Sequence, residues 1–141
     1  MAVERTFFMI KPSGVERDLV GEIVRRVETR GLSIIGLKMM KVTPKLAKDH
    51  YDEHKARPFF GELISVITRS PVVAMVVEGE SAISVMRTMM GATNPVDAAP
   101  GTIRGDFATE MSENIAHGSD SKTSAKREIG LYFDKSELVK R

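Results

Sequence analysis

Three stretches of the chain are apolar and rich in β-branched or aromatic side chains, a pattern that predicts β-strands. They cover residues 5–10, 32–42 and 72–78. The third is a continuous apolar run, too short for a helix, so it predicts a central strand that is buried on both faces. A fourth and shorter strand is predicted over residues 114–117.

Five other stretches carry apolar residues three and four positions apart, which predicts amphipathic helices. They run over residues 19–30, 44–54, 60–69, 81–91 and 121–129. Arg57-Pro58 separates the second helix from the third, so these two are expected to form a hairpin. Thr43-Pro44 and Ser81 are typical start signals, since both provide a capping hydroxyl.

The longest stretch without a periodic pattern covers residues 91–113 and is punctuated by proline and glycine. A loop of this length inside a small domain is usually functional or disordered. Residues 11–14 read Lys-Pro-Ser-Gly and predict a turn, which ends the first strand at a lysine. Residues 130–141 are predicted to form a tail whose Leu131-Tyr132-Phe133 segment packs inward.

The predicted order is strand, helix, strand, helical hairpin, strand, helix, long loop, strand, helix. This is a split β-α-β arrangement with an inserted hairpin. The simplest closed fold is an α+β, ferredoxin-like α/β sandwich, a four-stranded antiparallel sheet with helices on one face and a long active-site loop. We expect a single domain over residues 1–141, with the first and last strands adjacent in the sheet.

Composition narrows the classes of protein that remain. The chain has 141 residues, 42% of them hydrophobic, which is enough for one compact core. It contains no cysteine, which excludes disulfides, thiolate chemistry and cysteine-based metal sites. The net charge is only +2 and no lysine or arginine block occurs, so no specific nucleic-acid partner and no membrane contact are expected. The start of the chain lacks a signal-peptide pattern, so the expected location is cytoplasmic.

His117 is the strongest candidate for chemistry, because residues 114–121 read Asn-Ile-Ala-His-Gly-Ser-Asp-Ser and leave the imidazole approachable. The alternative is a histidine packed at a strand end and satisfied by backbone groups. If the first and last strands are neighbours, Lys11 shares a pocket with His117. Four more polar residues lie beside the long loop or on a helix: Arg87, Thr93, Arg104 and Asn114.

Three cations and several neutral hydrogen-bonding groups around one histidine suit a polyphosphate, since arginine and lysine both bind phosphate oxygens. For each cation alone, the alternative is a solvated surface charge. Neither a Gly-x-x-x-x-Gly-Lys-Ser/Thr loop nor a Gly-x-Gly-x-x-Gly motif occurs in the sequence. Side chains must therefore hold any nucleotide.

Four ring side chains of the predicted hairpin admit more than one interpretation. His50 and His54 stand four residues apart, as in zinc proteases, but Tyr51 replaces the catalytic glutamate of that motif, so metal ligation is disfavoured. Tyr51 and Phe59 offer aromatic surface on which a purine could stack, or they belong to the core.

Residues 114–121, 91–95 (Gly-Ala-Thr-Asn-Pro) and 100–107 (Pro-Gly-Thr-Ile-Arg-Gly-Asp-Phe) together closely resemble nucleoside diphosphate kinase. The resemblance covers essentially the whole chain, including residues 4–7 and 57–60. It implies the ferredoxin-like fold and a ping-pong transfer of the γ-phosphate from a nucleoside triphosphate, mainly ATP, to nucleoside diphosphates. The phosphoryl group would be carried on His117, so that one nucleotide site serves the donor and the acceptor in turn.

The resemblance also implies a role for each matching residue. Glu128 would fix the tautomer of His117, and Ser119 would support it with a hydroxyl. The residues that match those holding phosphates and ribose are Lys11, Arg87, Thr93, Arg104 and Asn114, and Lys11 is also counted with the catalytic group.

For the nucleobase, Phe59 matches a stacking aromatic, and Tyr51 matches a tyrosine that lines the phosphate pocket rather than stacking on the base. Low base selectivity is expected, because a flat aromatic contact accepts any π-face. Mg²⁺ is expected on the nucleotide phosphates without direct protein ligands, and Glu53 and Asp120 are candidates for contacts to it through water.

Three positions depart from the family pattern. Ser13 stands where aspartate is usual, and it can still cap a helix start, so activity should survive. Ala116 replaces a larger apolar residue and Tyr132 stands where tryptophan is common, and neither is expected to touch the catalytic residues.

The chain ends soon after Val139, without the longer tail that many hexameric members of the family carry, so the resemblance implies a homotetramer first and a hexamer second. Two other classes of protein stay open: a catalytically inactive scaffold of the same fold, and a ferredoxin-like regulatory module that binds a small effector.

Overall fold

The computed structural model describes residues 3–141, and its centre is a four-stranded antiparallel sheet. The strands are β1 (Val3–Ile10), β2 (Ser33–Met40), β3 (Val72–Glu80) and β4 (Ala116–Gly118), in the order β2-β3-β1-β4. The four predicted strands are confirmed, and so is the adjacency of the first and last strands.

Seven α-helices surround the sheet within residues 3–141: α1 (Pro12–Glu16), α2 (Val20–Thr29), α3 (Pro44–His50), α4 (Phe60–Thr68), α5 (Ala82–Met90), α6 (Ile103–Phe107) and α7 (Lys122–Tyr132). Short 3₁₀ turns cover Asp52–His54, Pro95–Asp97, Met111–Glu113 and Lys135–Glu137. Two predicted boundaries were wrong, since α3 ends at His50 and α7 continues to Tyr132. In the described part of the chain, no helix has the length and apolar character to cross a membrane.

Helices cover both faces of the sheet, so the prediction of a single helical layer was wrong. One face of β1 packs with α2 and α5, burying Phe8, Ile10, Ile23, Val27, Met86 and Met90. The opposite face packs with α3, α4 and α7, burying Phe7, Met9, Ala47, Ile67 and Tyr132. The physical reason is visible in the strands themselves, because β1 and β3 are apolar at successive positions and both faces need cover.

The long stretch between α5 and β4 is folded into α6 and two 3₁₀ turns rather than an irregular loop. Thr102 caps α6, its hydroxyl accepting from Gly105 N. Arg104 of α6 is thereby directed into the protein, where it is buried. This stretch therefore contributes a fixed wall beside β4.

Two predicted caps were wrong. Ser81 has φ +53, and its hydroxyl does not cap α5; the carboxylate of Glu4 accepts from Ile83 N at 3.2 Å instead. Ser13 lies inside α1, where its hydroxyl accepts from Ile115 N at 3.2 Å. A serine at this position therefore supports the segment that leads into β4.

Candidate active site

The backbone that carries His117 is tied to β1 along its length. His117 pairs with Met9 in the antiparallel ladder. On one side Lys11 N donates to Ile115 O at 2.8 Å, and on the other Ser119 N donates to Phe7 O at 3.1 Å. Ile115 has φ +74, an unusual conformation for a β-branched residue, and it is completely buried. The position of the histidine is therefore set by an inner strand of the sheet.

His117 lines a cavity of about 590 Å³. The cavity also contains nearly all the residues singled out from the sequence: Lys11, Tyr51, Glu53, Phe59, Arg87, Thr93, Arg104, Asn114, Asp120 and Glu128. Ser119 is the exception, since it is buried behind Glu128 and does not line the cavity. The chain thus brings three cations to the cavity that His117 lines, and His50 and His54 line the same cavity.

One ring nitrogen of His117 is occupied by a carboxylate. His117 Nε2 lies 2.8 Å from Glu128 Oε1, and the Ser119 hydroxyl donates to the same oxygen at 2.8 Å. Burial alone would raise the pKa of Glu128, but the hydrogen bond from His117 and the neighbouring charges lower it below its usual value. An ionised carboxylate only accepts, so His117 carries its hydrogen on Nε2 and Nδ1 is unprotonated.

Lys11 is held at the cavity by an amide. Its ammonium donates to Asn114 Oδ1 at 2.9 Å, and Asn114 Nδ2 donates to Thr93 O at 3.2 Å. Burial, followed by the charge of Arg104, lowers the pKa of Lys11 to about 8. Keeping this buried ammonium charged beside Arg104 therefore costs free energy, and the negative charge of a bound anion would reduce that cost.

Arg104 serves the backbone as well as the cavity. Its guanidinium donates to Asn114 O at 3.2 Å, Gly91 O at 3.1 Å and Ala116 O at 2.6 Å. Burial and the charge of Arg87 lower the pKa of Arg104 to about 10. Two of its five N–H groups bind the carbonyls on either side of Ile115 and a third binds Gly91 O, which leaves two for a ligand. No sequence pattern indicates these backbone contacts.

Arg87 approaches the cavity from α5, where its Nη1 donates to Gly118 O at 3.3 Å. Asp120 lies next along the chain from Ser119, and its carboxylate accepts from the Ser124 hydroxyl at 2.7 Å. That hydrogen bond, more than the charge of Arg87, lowers the pKa of Asp120. The carboxylate is therefore ionised at neutral pH and available at the cavity edge.

The two aromatic residues of the hairpin differ in exposure. Phe59 is 41% exposed and lines the cavity. Tyr51 is 8% exposed and stacks on His50 with ring centroids 4.6 Å apart. Phe59 therefore offers a free face to a planar ligand, whereas the phenol of Tyr51 is part of the cavity floor. Met111, which the sequence reasoning missed, lines the same cavity and is 55% exposed.

The contact between His50 and His117 is the main feature of the site that sequence reasoning missed. It is 2% exposed, its Nε2 lies 3.3 Å from His117 Nε2, and its Nδ1 lies 2.7 Å from the Tyr132 hydroxyl. Burial, then the neighbouring His117, lowers the pKa of His50 to about 3. Tyr132 therefore contacts His117 only through His50, and Ala116 contributes a carbonyl to Arg104. The only local indication of this contact in the sequence was the pair of ring residues His50-Tyr51 next to a helix end.

Two groups of side chains could in principle hold a cation. His50, His117 and Glu128 are the one set of histidine and acidic residues in the described chain whose ligand atoms cluster closely. Their atoms are already hydrogen-bonded to one another, and imidazoles suit transition metals rather than Mg²⁺. The carboxylates of Glu53 and Asp120 at the cavity edge provide the oxygen atoms that Mg²⁺ prefers.

The fold and the site together define an α+β protein in which His117 lines a cavity together with three cationic side chains. A family model described as "Nucleoside diphosphate kinase" matches residues 4–138. The nucleoside diphosphate kinase of Halalkalibacterium halodurans is 61% identical over 136 residues, which is 96% of this chain and 92% of that protein. That of Moorella thermoacetica is 59% identical over 138 residues, with 98% and 99% covered.

Solved structures give the same result. The halophilic nucleoside diphosphate kinase from Halobacterium salinarum in complex with CDP matches with a TM-score of 0.97 and 51% identity, covering 99% of this chain and 93% of that one. The Aquifex aeolicus nucleoside diphosphate kinase matches with a TM-score of 0.96 and 42% identity, covering 98% and 100%. This chain belongs to the nucleoside diphosphate kinase family. The expected family and fold class are confirmed.

Proposed function

We propose that this nucleoside diphosphate kinase transfers its phosphoryl group through Nδ1 of His117. The observation that carries the proposal is the bond between His117 Nε2 and Glu128 Oε1, which leaves Nδ1 as the nitrogen with a free lone pair. The same imidazole lines a cavity that also contains Lys11, Arg87 and Arg104. A nucleophile surrounded by cations suits a substrate that presents a terminal phosphate.

The reaction runs in two half-reactions on one site. In the first, the Nδ1 lone pair attacks the γ-phosphorus of a nucleoside triphosphate, and the bond from that phosphorus to the β–γ bridging oxygen breaks. The nucleoside diphosphate leaves with that electron pair. In the second, a terminal oxygen of an acceptor diphosphate attacks the same phosphorus, and the P–N bond breaks to restore His117.

Positive charge develops on the imidazole when the P–N bond forms. Glu128 stabilises this charge from the Nε2 side, and Ser119 holds the carboxylate oxygen in place. Neither residue needs to give up a proton in either half-reaction. Both are therefore assigned to the orientation and electrostatics of His117.

The cations and amides of the cavity are assigned to the nucleotide. Lys11, Arg87 and Arg104 would neutralise phosphate oxygens, while Thr93 and Asn114 would hydrogen-bond phosphates or ribose. Tyr51 would close the phosphate end of the cavity, since it is buried there. Phe59 would stack on the base. An aromatic face does not read base edges, which supports low base selectivity.

Mg²⁺ completes this proposal as a companion of the nucleotide phosphates, whose charge it would neutralise. Asp120, which is ionised, and Glu53 are both exposed and line the cavity, and they would hold its water molecules. The two imidazoles are not assigned to the ion. A cytoplasmic location belongs to the same proposal, since nucleoside triphosphates are made and used there.

A homo-oligomer is also proposed, with a tetramer ahead of a hexamer. Its support is the outer edge of β2, a sheet-edge strand on which Leu37 and Met39 are more than half exposed. The tail covers part of this edge, since Val139 N donates to Ile35 O at 2.9 Å. A second copy paired along the remaining edge would cover the apolar side chains. Light scattering would test this, and a monomer at micromolar concentration would contradict it.

Phosphorylation with γ-labelled ATP and Mg²⁺ tests the central proposal. The wild type is expected to acquire acid-labile, alkali-stable label, and each of several nucleoside diphosphates should remove it. His117→Ala should abolish the label. A wild-type protein that binds ATP but never becomes labelled would contradict the proposal and favour the inactive scaffold.

A further inference from the structure

The hydroxyl of Tyr132 lies two contacts away from the proposed nucleophile. Tyr132 Oη is 2.7 Å from His50 Nδ1, and His50 Nε2 is 3.3 Å from His117 Nε2. The His50 ring is held on both sides, stacked on Tyr51 and in edge contact with Phe7 at 6.1 Å. Neither Tyr132 nor His50 has a task in the proposed phosphoryl transfer. These contacts nevertheless end at Nε2 of His117. When the hydrogen of His117 is on Nε2, Nδ1 is the nitrogen that can attack.

The positions of the hydrogens between Tyr132, His50 and His117 follow from the charge state of Glu128. The carboxylate is ionised and accepts only, so His117 Nε2 carries a hydrogen. A hydrogen on His50 Nε2 would then confront another N–H group at 3.3 Å. A neutral imidazole avoids this conflict by carrying its hydrogen on Nδ1 and leaving a lone pair on Nε2. The Nδ1 hydrogen points to the Tyr132 hydroxyl, whose oxygen accepts it.

We propose that Tyr132 is a positioning residue for phosphoryl transfer: its hydroxyl oxygen accepts the Nδ1 hydrogen of His50, which presents a bare Nε2 to His117 and thereby helps to retain the His117 hydrogen on Nε2. This inference rests on the proposed role of His117 as the nucleophile. It assigns a function to a side chain that departs from the family pattern. If His50 carried its hydrogen on Nε2 instead, that hydrogen would compete with the His117 hydrogen for the space between the rings.

Nitrogen chemical shifts of ¹⁵N-histidine in the intact wild-type protein test the tautomers directly. At neutral pH we expect His50 to be neutral with its hydrogen on Nδ1, and His117 with its hydrogen on Nε2. Assignment uses His50→Asn and His117→Ala. A hydrogen on His50 Nε2 in the wild type would overturn the inference, whatever the variants do.

A double-mutant cycle tests whether Tyr132 acts through His50. Tyr132→Phe keeps the ring that stacks on Phe7 at 4.6 Å but removes the acceptor. We expect the single-turnover rate of His117 phosphorylation to fall about fivefold, the equivalent of one neutral hydrogen bond, with ADP affinity unchanged. His50→Asn keeps a donor near the Nδ1 position but places nothing at Nε2. In that background, Tyr132→Phe should have no further effect.

Independent, multiplicative effects of the two substitutions would overturn the inference, because they would show that Tyr132 acts by another route. The same would follow if Tyr132→Phe left the rate unchanged. Failure of the proposed function is a separate result, since then the wild type itself would not become phosphorylated in the single-turnover experiment.

Discussion

Ser119 and His117 bond to the same oxygen of Glu128. The Ser119 hydroxyl donates to Oε1 at 2.8 Å, and His117 Nε2 lies at 2.8 Å from the same atom. The carboxylate oxygen is therefore fixed from two directions, and the serine lies outside the cavity, where a nucleotide cannot displace it. The two residues therefore have different tasks: Glu128 contacts the imidazole, and Ser119 limits the movement of Glu128.

Removing these two groups should therefore have unequal effects. Glu128→Ala is expected to lower kcat by about a hundredfold or more, because it removes the tautomer partner and its charge. Ser119→Ala should lower kcat by only about fivefold, since one hydrogen bond is lost. Steady-state kinetics with ATP and several diphosphates measure both. Equal losses, or a larger loss for Ser119→Ala, would contradict the division.

The second prediction concerns the charge of Lys11. Its pKa is about 8 in the free protein, so the ammonium loses its proton as the pH rises through 8, and ADP affinity should fall between pH 7 and pH 9. Binding near pH 8 should take up protons, because phosphate restores the charged form. Calorimetry in buffers of different ionisation enthalpy measures both effects.

Lys11→Arg is the matched control for this pH dependence, because guanidinium stays charged across the range. Its ADP affinity should be nearly independent of pH, whatever its absolute value. Lys11→Ala should lower transfer by at least about tenfold, or about 1.4 kcal/mol of barrier. If the ADP affinity of Lys11→Arg depended on pH as it does in the wild type, the group that titrates would not be Lys11.

The third prediction separates Arg104 from Lys11. Arg104→Ala removes three hydrogen bonds to backbone carbonyls, so we expect about 2–3 kcal/mol less free energy of unfolding, together with an at least tenfold loss of transfer. Lys11→Ala removes one hydrogen bond and a desolvated cation, so its stability should change by less than about 1 kcal/mol. Urea unfolding of both variants provides the comparison. Wild-type stability in Arg104→Ala would show that the carbonyl contacts contribute little.

The fourth prediction is a loss of stability in acid that depends on His50. The pKa of His50 is about 3 in the folded protein, against 6.5 for an unperturbed imidazole, so the unfolded chain binds more protons between these limits. The free energy of unfolding should therefore be fully retained above pH 6.5 and decrease as the pH falls towards 3. The contribution of this one group has a slope of at most about 1.4 kcal/mol per pH unit.

Thermal unfolding from pH 7 to pH 4 measures this slope. His50→Gln should show a shallower decrease in Tm than the wild type, because the titrating group is gone. Tyr132→Phe keeps the buried imidazole and serves as the matched control, so its slope should resemble that of the wild type. Identical slopes in His50→Gln and the wild type would assign the acid loss to other groups.

Much of the fold could be predicted from the sequence because its strands differ in their patterns. The apolar run of residues 72–78 indicated a central strand, and β3 lies between β2 and β1. The same run should have indicated helices on both faces, since a strand apolar at every position cannot leave one face in water. That step was missed because the order of elements alone was used to choose the fold.

The contacts at the site could be predicted less completely from the sequence than the fold, and the cause is different. Single residues such as Lys11 and Arg104 could be named from their types and neighbours, but hydrogen bonds across 82 positions, as between His50 and Tyr132, leave no local pattern. Likewise, the backbone contacts of Arg104 depend on carbonyls, which every residue possesses. Sequence can indicate which side chains bring charge, whereas it does not indicate which of them also hold the chain in place.

The pairing of β4 with β1 has a consequence for how the molecule moves during turnover. Because His117 pairs with Met9 of an inner strand, its amide should exchange hydrogen with water more slowly than the amides around Phe59 and Met111. Those two side chains are 41% and 55% exposed and lie outside the sheet. In the proposed reaction, the imidazole would therefore stay in place during turnover while the exposed side of the cavity adjusts to the nucleotide.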